Sequence, residues 1–254
     1  MLKGGWRNLT DDTDHIRLIN IMGTILIERE FTGPELLVCT RLFEQIVKQH
    51  NDCDGKGIVL KGDQFDDCDC RRIYDFVKTL VWSRVPRLHW QTKPDENVYS
   101  ILFDGQPLCV TGDSLQGKTR ILSGIAIRAI TKGSTVCYAT ANEIVTWKSI
   151  DDRDFEVWMD RILGSEVVLI DDLDRLEKNT SWSYDIIDLV LKKIIDSGKA
   201  LMVSVTDADQ VRSDRIKNLI ENCRIIACGN PVKNGKVLDF FGQDFRREAL
   251  RYTA

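Results

Sequence analysis

From Ser100 onward, short runs of aliphatic and β-branched residues alternate with longer stretches in which apolar residues recur every three or four positions. The runs are Leu108-Cys109-Val110, Thr135-Val136-Cys137-Tyr138, Val167-Val168-Leu169-Ile170, 201–205 and Arg224-Ile225-Ile226. They are continuously apolar rather than alternating, which predicts an α/β fold: a parallel five-stranded sheet covered on both faces by helices. The first hundred residues follow another pattern. Thr32-Gly33-Pro34 precedes Leu36, Leu37, Leu42, Phe43, Ile46 and Val47 at helical spacing, and Pro at a first helical position predicts a helix ending near His50. Residues 50–70 hold Gly55, Gly57, Gly62 and a dense set of Asp and Cys, a composition that fits neither an ordinary strand nor a helix. From Arg71, Ile73, Phe76, Val77, Leu80 and Val81 return to helical spacing, and Pro86 and Pro94 mark a connector. The pattern predicts a small helical N-terminal domain over residues 1–97 and an α/β domain over 98–254.

Composition removes several classes. The chain has 254 residues, 43% apolar and 29% charged, with 17 Gly and 5 Pro, which excludes disordered and fibrous sequences. The longest nearly apolar stretch, 18–27, is broken by Asn20, Gly23 and Thr24 and falls short of the ~20 residues that span a bilayer, so no membrane span is expected. No secretory signal pattern is visible, and a cytoplasmic location is expected. A net charge of −4 argues against blanket coating of nucleic acid. The charge is segregated: 118–148 carries five bases and one acid, whereas 151–174 carries nine acids and two bases.

Gly112-Asp113-Ser114-Leu115-Gln116-Gly117-Lys118-Thr119 fits G-x-x-x-x-G-K-[ST], follows an expected strand and opens an expected helix over 120–132. The glycines let backbone N–H groups wrap phosphates, and the helix N-terminus adds a favourable dipole. ATP is the expected ligand, with Lys118 reaching the β- and γ-phosphates and Thr119 a ligand of Mg2+. Some fifty residues on, Val167-Val168-Leu169-Ile170-Asp171-Asp172 is a buried strand ending in two acids. Asp171 is expected to hold magnesium through water, and Asp172 to orient or deprotonate the attacking water. The strand over 201–205 runs into Thr206; either Thr206 or Ser204 could sense the γ-phosphate, or the segment could be a plain strand end.

His50, Cys53, Cys68 and Cys70 form an H-x-x-C…C-x-C arrangement, with Cys68 fifteen residues after Cys53. Two close pairs separated by a glycine-containing loop suit a structural tetrahedral Zn2+ site with no open position. Cys39, Cys109, Cys137, Cys223 and Cys228 lie in apolar runs and are expected in the core.

The order of phosphate loop, Asp-Asp strand end and polar-tipped further strand resembles the AAA+ ATPases. Details over roughly residues 50–250 resemble the clade of DnaC, DnaI and IstB. Ile170-Asp171-Asp172-Leu173 is similar to that clade's I-D-D-L, Trp182 falls where it often has Trp, and Arg84-Val85-Pro86-Arg87-Leu88-His89-Trp90 looks like the segment leading into its ATPase core. Gly242-Gln243-Asp244-Phe245-Arg246 is similar to its terminal G-x-S-[YF]-R, and the cysteine cluster to its C-x-x-C…C-x-C-R, with His50 in the first cysteine's place. The resemblance implies an AAA+ P-loop αβα core, ATP-dependent self-assembly into a spiral oligomer, and single-stranded DNA held along its inner surface. It implies a replicative helicase loader, plausibly phage-encoded and acting in a bacterial host cytoplasm, whose first 97 residues dock on a hexameric replicative helicase. Trp147, Lys148, Arg153 and Phe155 lie where the family places its DNA-contacting helix, although Trp147 serves equally as a core residue. One departure matters. The clade's E-R-x-x-x-R-[LIM] here reads Asp214-Arg215-Ile216-Lys217-Asn218-Leu219-Ile220, with Leu219 at the expected arginine finger. Slow hydrolysis follows, or a finger supplied by Arg215 or Arg224. Two other readings stay open: an IstB-like transposition helper acting on duplex DNA with a transposase, and an ATP-switched scaffold that does not hydrolyse.

Overall fold

Val167–Asp171 is buried at every one of its five positions, the signature of a strand with helices over both faces. In the computed structural model, which describes residues 16–19, 28–31, 35, 58–61, 64–67, 76, 78–90, 92, 96–177 and 180–228, it belongs to a five-stranded parallel sheet. The chain divides into two units, Met1–Trp82 and Ser83–Ala254.

In the first unit, β1 (Ile16–Ile19) pairs antiparallel with β2 (Glu28–Phe31), and β3 (Ile58–Lys61) pairs antiparallel with β4 (Gln64–Asp67). Residues 78–82 are helical, as their spacing predicts. The second strand pair corrects the expectation that 50–70 holds no strand. Ile58-Val59-Leu60 is a short β-branched run, and Gly62-Asp63 is the composition that two-residue hairpin connections favour. The surrounding Asp, Gly and Cys hid that local signal in the segment average. Of the helix expected over 34–50, Glu35 alone is described, and it is helical; the zinc quartet His50, Cys53, Cys68 and Cys70, Cys39, and the 242–246 segment lie outside the described residues.

In the second unit, the strands are β5 (Leu108–Thr111), β6 (Val136–Thr140), β7 (Val167–Asp171), β8 (Ala200–Val205) and β9 (Arg224–Ala227). Their spatial order is β6-β7-β8-β5-β9, every neighbouring pair parallel. The helices are α1 (Glu96–Ile101), α2 (Lys118–Thr131), α3 (Ala141–Ile150), α4 (Asp152–Leu163), α5 (Ser181–Asp196) and α6 (Asp214–Asn222). All five strands fall on the apolar runs of the sequence, shifted by a residue or two. Side chains alternate along a strand. Val168 and Ile170 accordingly join one core cluster with Ile144 of α3, Trp158 and Ile162 of α4, and Ile187 of α5. Asp171, with the opposite parity, meets Thr119 at the start of α2.

Chain order makes the crevice. From β5 the chain passes to the far edge at β6 and returns through β7 to β8, then crosses to β9 on the other side of β5. The carboxyl ends of β5 and β8, where the winding reverses, are where open α/β sheets bind ligands.

Local capping fixes the helix starts. Thr140 and Glu143 form a reciprocal capping box on α3, and Asp151, Thr180 and Ser213 each accept a backbone N–H at the starts of α4, α5 and α6. Cys109, Cys137, Cys223 and Cys228 are buried as expected, and burial pushes the Cys223 thiol up to about 12. No described helix is long and apolar enough to cross a membrane. Leu169 is fully buried in the sheet centre. Leu169→Ala should destabilise this unit by about 2–5 kcal/mol, read as a lowered denaturant midpoint at unchanged slope.

Candidate nucleotide site

The phosphate loop connects β5 to α2, and its backbone requires glycine at two positions. At Gly112 (φ +151°) an added Cβ would lie 2.6 Å from the Cys228 carbonyl oxygen, because the end of β9 crosses here, with the Cys228 N–H bonded to the Thr111 carbonyl. Gly117 (φ +92°) is left-handed at the N-cap of α2 and offers no side chain to the helix's first N–H groups. Those groups stay available to an anion at the positive end of the helix dipole. Gln116 closes the loop on itself: its Oε1 accepts the Asp113 N–H at 2.9 Å and its Nε2 donates to Asp113 Oδ2 at 3.2 Å. Leu115 stands fully exposed at the tip, itself left-handed at φ 67°.

Lys118 is buried, and its Nζ donates to the carbonyls of Gly112 at 2.7 Å and Asp113 at 3.0 Å. The ammonium thus lies folded against the loop whose concave side would receive phosphate. Thr119 Oγ1 donates to Asp171 Oδ2 at 2.7 Å, joining the loop to the end of β7. Asp171 is 2% exposed and accepts further hydroxyls from Tyr138 of β6 and Ser204 of β8.

Asp172 adopts a left-handed φ of 53°, and its N–H is held by Ser204 Oγ at 2.9 Å. A non-glycine residue here carries backbone strain of a kind that concentrates at functional sites. Burial, reinforced by the neighbouring Asp171 charge, raises the Asp172 pKa, with Arg175 pulling it down. That is the environment of a carboxylate able to take a proton. Asp174, buried, caps the end of β8 by accepting the N–H groups of Thr206 and Asp207 at 3.0 Å. Thr206 Oγ1 is buried without a hydrogen-bond partner among the described residues.

The fold therefore brings together Lys118, Thr119, Asp171, Asp172 and Thr206, and it sorts the two strand-end hydroxyls that the sequence leaves open. Ser204 is committed to Asp171 and Asp172, whereas Thr206 is not. Arg215 is placed differently: it is exposed on α6, and its guanidinium holds Asp188 of α5 at 2.9 Å, beside Leu219 in a groove of about 370 Å³. Arg224 pairs with Asp104 at 2.9 Å.

Four residues of the site carried no readable role in the sequence: Tyr138, Asp174, Arg175 and His89. Arg175 donates to Ser114 in the phosphate loop and also faces Asp172. His89 lies in the 3₁₀ turn Arg87–His89; burial and the Arg120 charge lower its pKa, which keeps the imidazole neutral at pH 7. A polar residue at a strand end is the one available signal, and it marks Thr140 as readily as Tyr138.

Three of the four residues expected to contact DNA make contacts within the chain. Phe155 is buried in the core, and Trp147 stacks on Trp158 with centroids 3.7 Å apart beneath the Arg84 guanidinium at 4.7 Å. Lys148 pairs with Asp152 one turn on. Phe155 faces inward because α4 must cover the sheet, while half-buried Trp147 packs between Trp158 and the Arg84 guanidinium.

The site suits a phosphate-bound magnesium ion. The Thr119 hydroxyl and the Asp171 carboxylate are hard oxygen donors. Among the described residues no group of three or more His, Cys, Asp and Glu side chains is placed to hold a metal.

No family model matches the chain, and no curated protein matches it in sequence. Solved structures similar to it include AMPPCP-bound DnaA from Aquifex aeolicus, at 14% identity, covering 57% of this chain and 50% of that one with a TM-score of 0.48. DnaI is similar at 17% identity over 59% of this chain and 94% of its own, TM-score 0.45. The DnaC helicase loader is similar at 14% identity over 56% and 99%, TM-score 0.45. The chain spans about half the length of the first solved structures it matches.

Proposed function

We propose that the chain is an AAA+ ATPase of the helicase-loader type, which binds ATP between its phosphate loop and the ends of β7 and β8. The observation that carries the nucleotide reading is the Thr119–Asp171 bond. It couples the loop to the buried strand-end acid in the arrangement that P-loop enzymes use to hold magnesium. The loader assignment rests on the order of motifs along the chain, from the segment over 84–90 through Ile170-Asp171-Asp172-Leu173.

Each residue has a defined task in this reading. The loop N–H groups and the Lys118 ammonium bind the phosphates, and Thr206 Oγ1 donates to the terminal one. Magnesium, when bound, neutralises charge on the phosphate oxygens, with Thr119 and Asp171 as its protein partners. Asp172 orients the attacking water and accepts its proton as the bond from the terminal phosphorus to ADP breaks. Arg215, exposed and paired with Asp188, would act on the nucleotide of a neighbouring copy. Leu219, in the expected finger position, makes hydrolysis slow. The same substitution favours the scaffold reading, in which nucleotide binding alone switches a partner.

A turnover assay with oligonucleotides separates the possibilities. Slow ATP hydrolysis stimulated by single strands is expected; stimulation by duplex alone favours the transposition helper, and tight ATP binding without turnover under any condition favours the scaffold. Affinity capture in an ATP analogue and in ADP should recover a hexameric helicase more strongly in one state, and recovery of a transposase would overturn the loader assignment.

A further inference from the structure

We propose that Tyr138 is a positioning residue that sets how strongly Asp171 accepts hydrated magnesium, by filling the last acceptor position of its carboxylate. This rests on the nucleotide-site reading above.

An ionised carboxylate offers about four lone-pair positions. In Asp171 the protein uses all of them. Oδ2 accepts Thr119 Oγ1 at 2.7 Å and Tyr138 OH at 2.5 Å, and Oδ1 accepts Ser204 Oγ and the Asp172 N–H at 3.1 Å. With 2% of the residue exposed, bulk water does not compete.

The four donors are not equivalent. Asp172 contributes a backbone N–H that it also gives to Ser204 Oγ, and Ser204 returns its one proton to Asp171, so these three groups form a closed unit. Thr119 belongs to the phosphate loop itself. Tyr138 comes from outside, two residues before the end of β6, in a strand otherwise made of Val136, Cys137, Ala139 and Thr140. Its side chain is 3% exposed. Its hydroxyl lies 2.5 Å from Oδ2, and a phenol O–H facing an ionised carboxylate oxygen donates to it.

Two consequences follow. Before metal arrives, Tyr138 and Thr119 fix Oδ2 and keep the carboxylate aimed at the loop. When a hydrated cation approaches, its water must donate to an oxygen that already has two donors, so the phenol competes with it. A phenylalanine at 138 would fill the same space, leave Oδ2 with a free lone pair and remove that competition.

The test is equilibrium binding of a fluorescent ATP analogue to the full chain, with EDTA and across a magnesium titration. In Tyr138→Phe the affinity in EDTA should equal wild type, while the factor by which magnesium tightens binding should rise about tenfold, the worth of one hydrogen bond to a charged group. A factor equal to or below that of wild type overturns the proposal. Replacing tyrosine by 3-fluorotyrosine throughout makes the phenol a stronger donor and should lower the same factor; no change, or a rise, overturns it as well. This second protein decides the question if Tyr138→Phe does not fold. A role in packing alone would not raise that factor in one protein and lower it in the other. Failure of wild type to bind the analogue in any condition would remove the nucleotide reading, and this proposal with it.

Discussion

Lys118→Ala should weaken ATP binding by about 100-fold or more while leaving the fold intact. The Nζ already makes two hydrogen bonds to loop carbonyls, so it is held where a phosphate in the loop would meet it. Two charge-assisted bonds from this ammonium to phosphate oxygens, at about 1.5–3 kcal/mol each, correspond to at least two orders of magnitude in the dissociation constant. Alanine cannot restore them, and water reaches the buried position poorly. The core cluster under α3, α4 and α5 does not include Lys118, so thermal unfolding should change little. Titration calorimetry with ATP checks the first part and circular dichroism the second. Unchanged ATP affinity would remove the assignment of 112–119 as a phosphate loop.

Asp172→Asn should bind ATP normally and lose turnover by about 10²–10⁴-fold, the usual contribution of a positioned general base. Asparagine preserves the size of the side chain and the backbone N–H to Ser204 but cannot accept a proton. A second effect separates this variant from simple damage. Folding raises the Asp172 pKa, so ionisation is harder in the folded state than in the unfolded one. Stability present below the unfolded carboxylate pKa is therefore lost as pH rises through the folded value. Asparagine carries no charge to bury, and at pH 7 the variant should unfold at the same temperature as wild type or higher. Single-turnover phosphate release and a melting curve measure both. Wild-type turnover would transfer the base role to another residue, and a large drop in melting temperature would mark Asp172 as structural instead.

Much of this protein is decided by short-range pattern. Five continuously apolar runs become five buried strands because a parallel sheet covered by helices removes both faces of each strand from water. The phosphate loop is equally local: its glycines and lysine act within eight consecutive residues, and the helix they open needs only its own backbone. The acids at the end of β7 are legible for the same reason, since a polar pair closing an apolar run marks the carboxyl end of a strand, where the crevice of an open α/β sheet lies. Where the local signal was short, as in Ile58-Val59-Leu60 among Asp, Gly and Cys, the segment's composition pointed the wrong way.

The tertiary structure decided which distant residues meet. Strand order cannot be read from periodicity, which reports burial and not neighbours, yet it is the order β7-β8-β5 that brings Ser204 to Asp171 and separates its task from that of Thr206. Tyr138 reaches Asp171 only because β6 pairs with β7 in the register that sets Thr140 opposite Asp171. The direction in which a helix turns its aromatic residues is settled by the sheet it must cover, which is why Phe155 is buried and Trp147 packs on Trp158. Sequence names the groups that can bind a phosphate and a metal; chain crossovers, by closing contacts across thirty or more residues, determine the donors that surround each one.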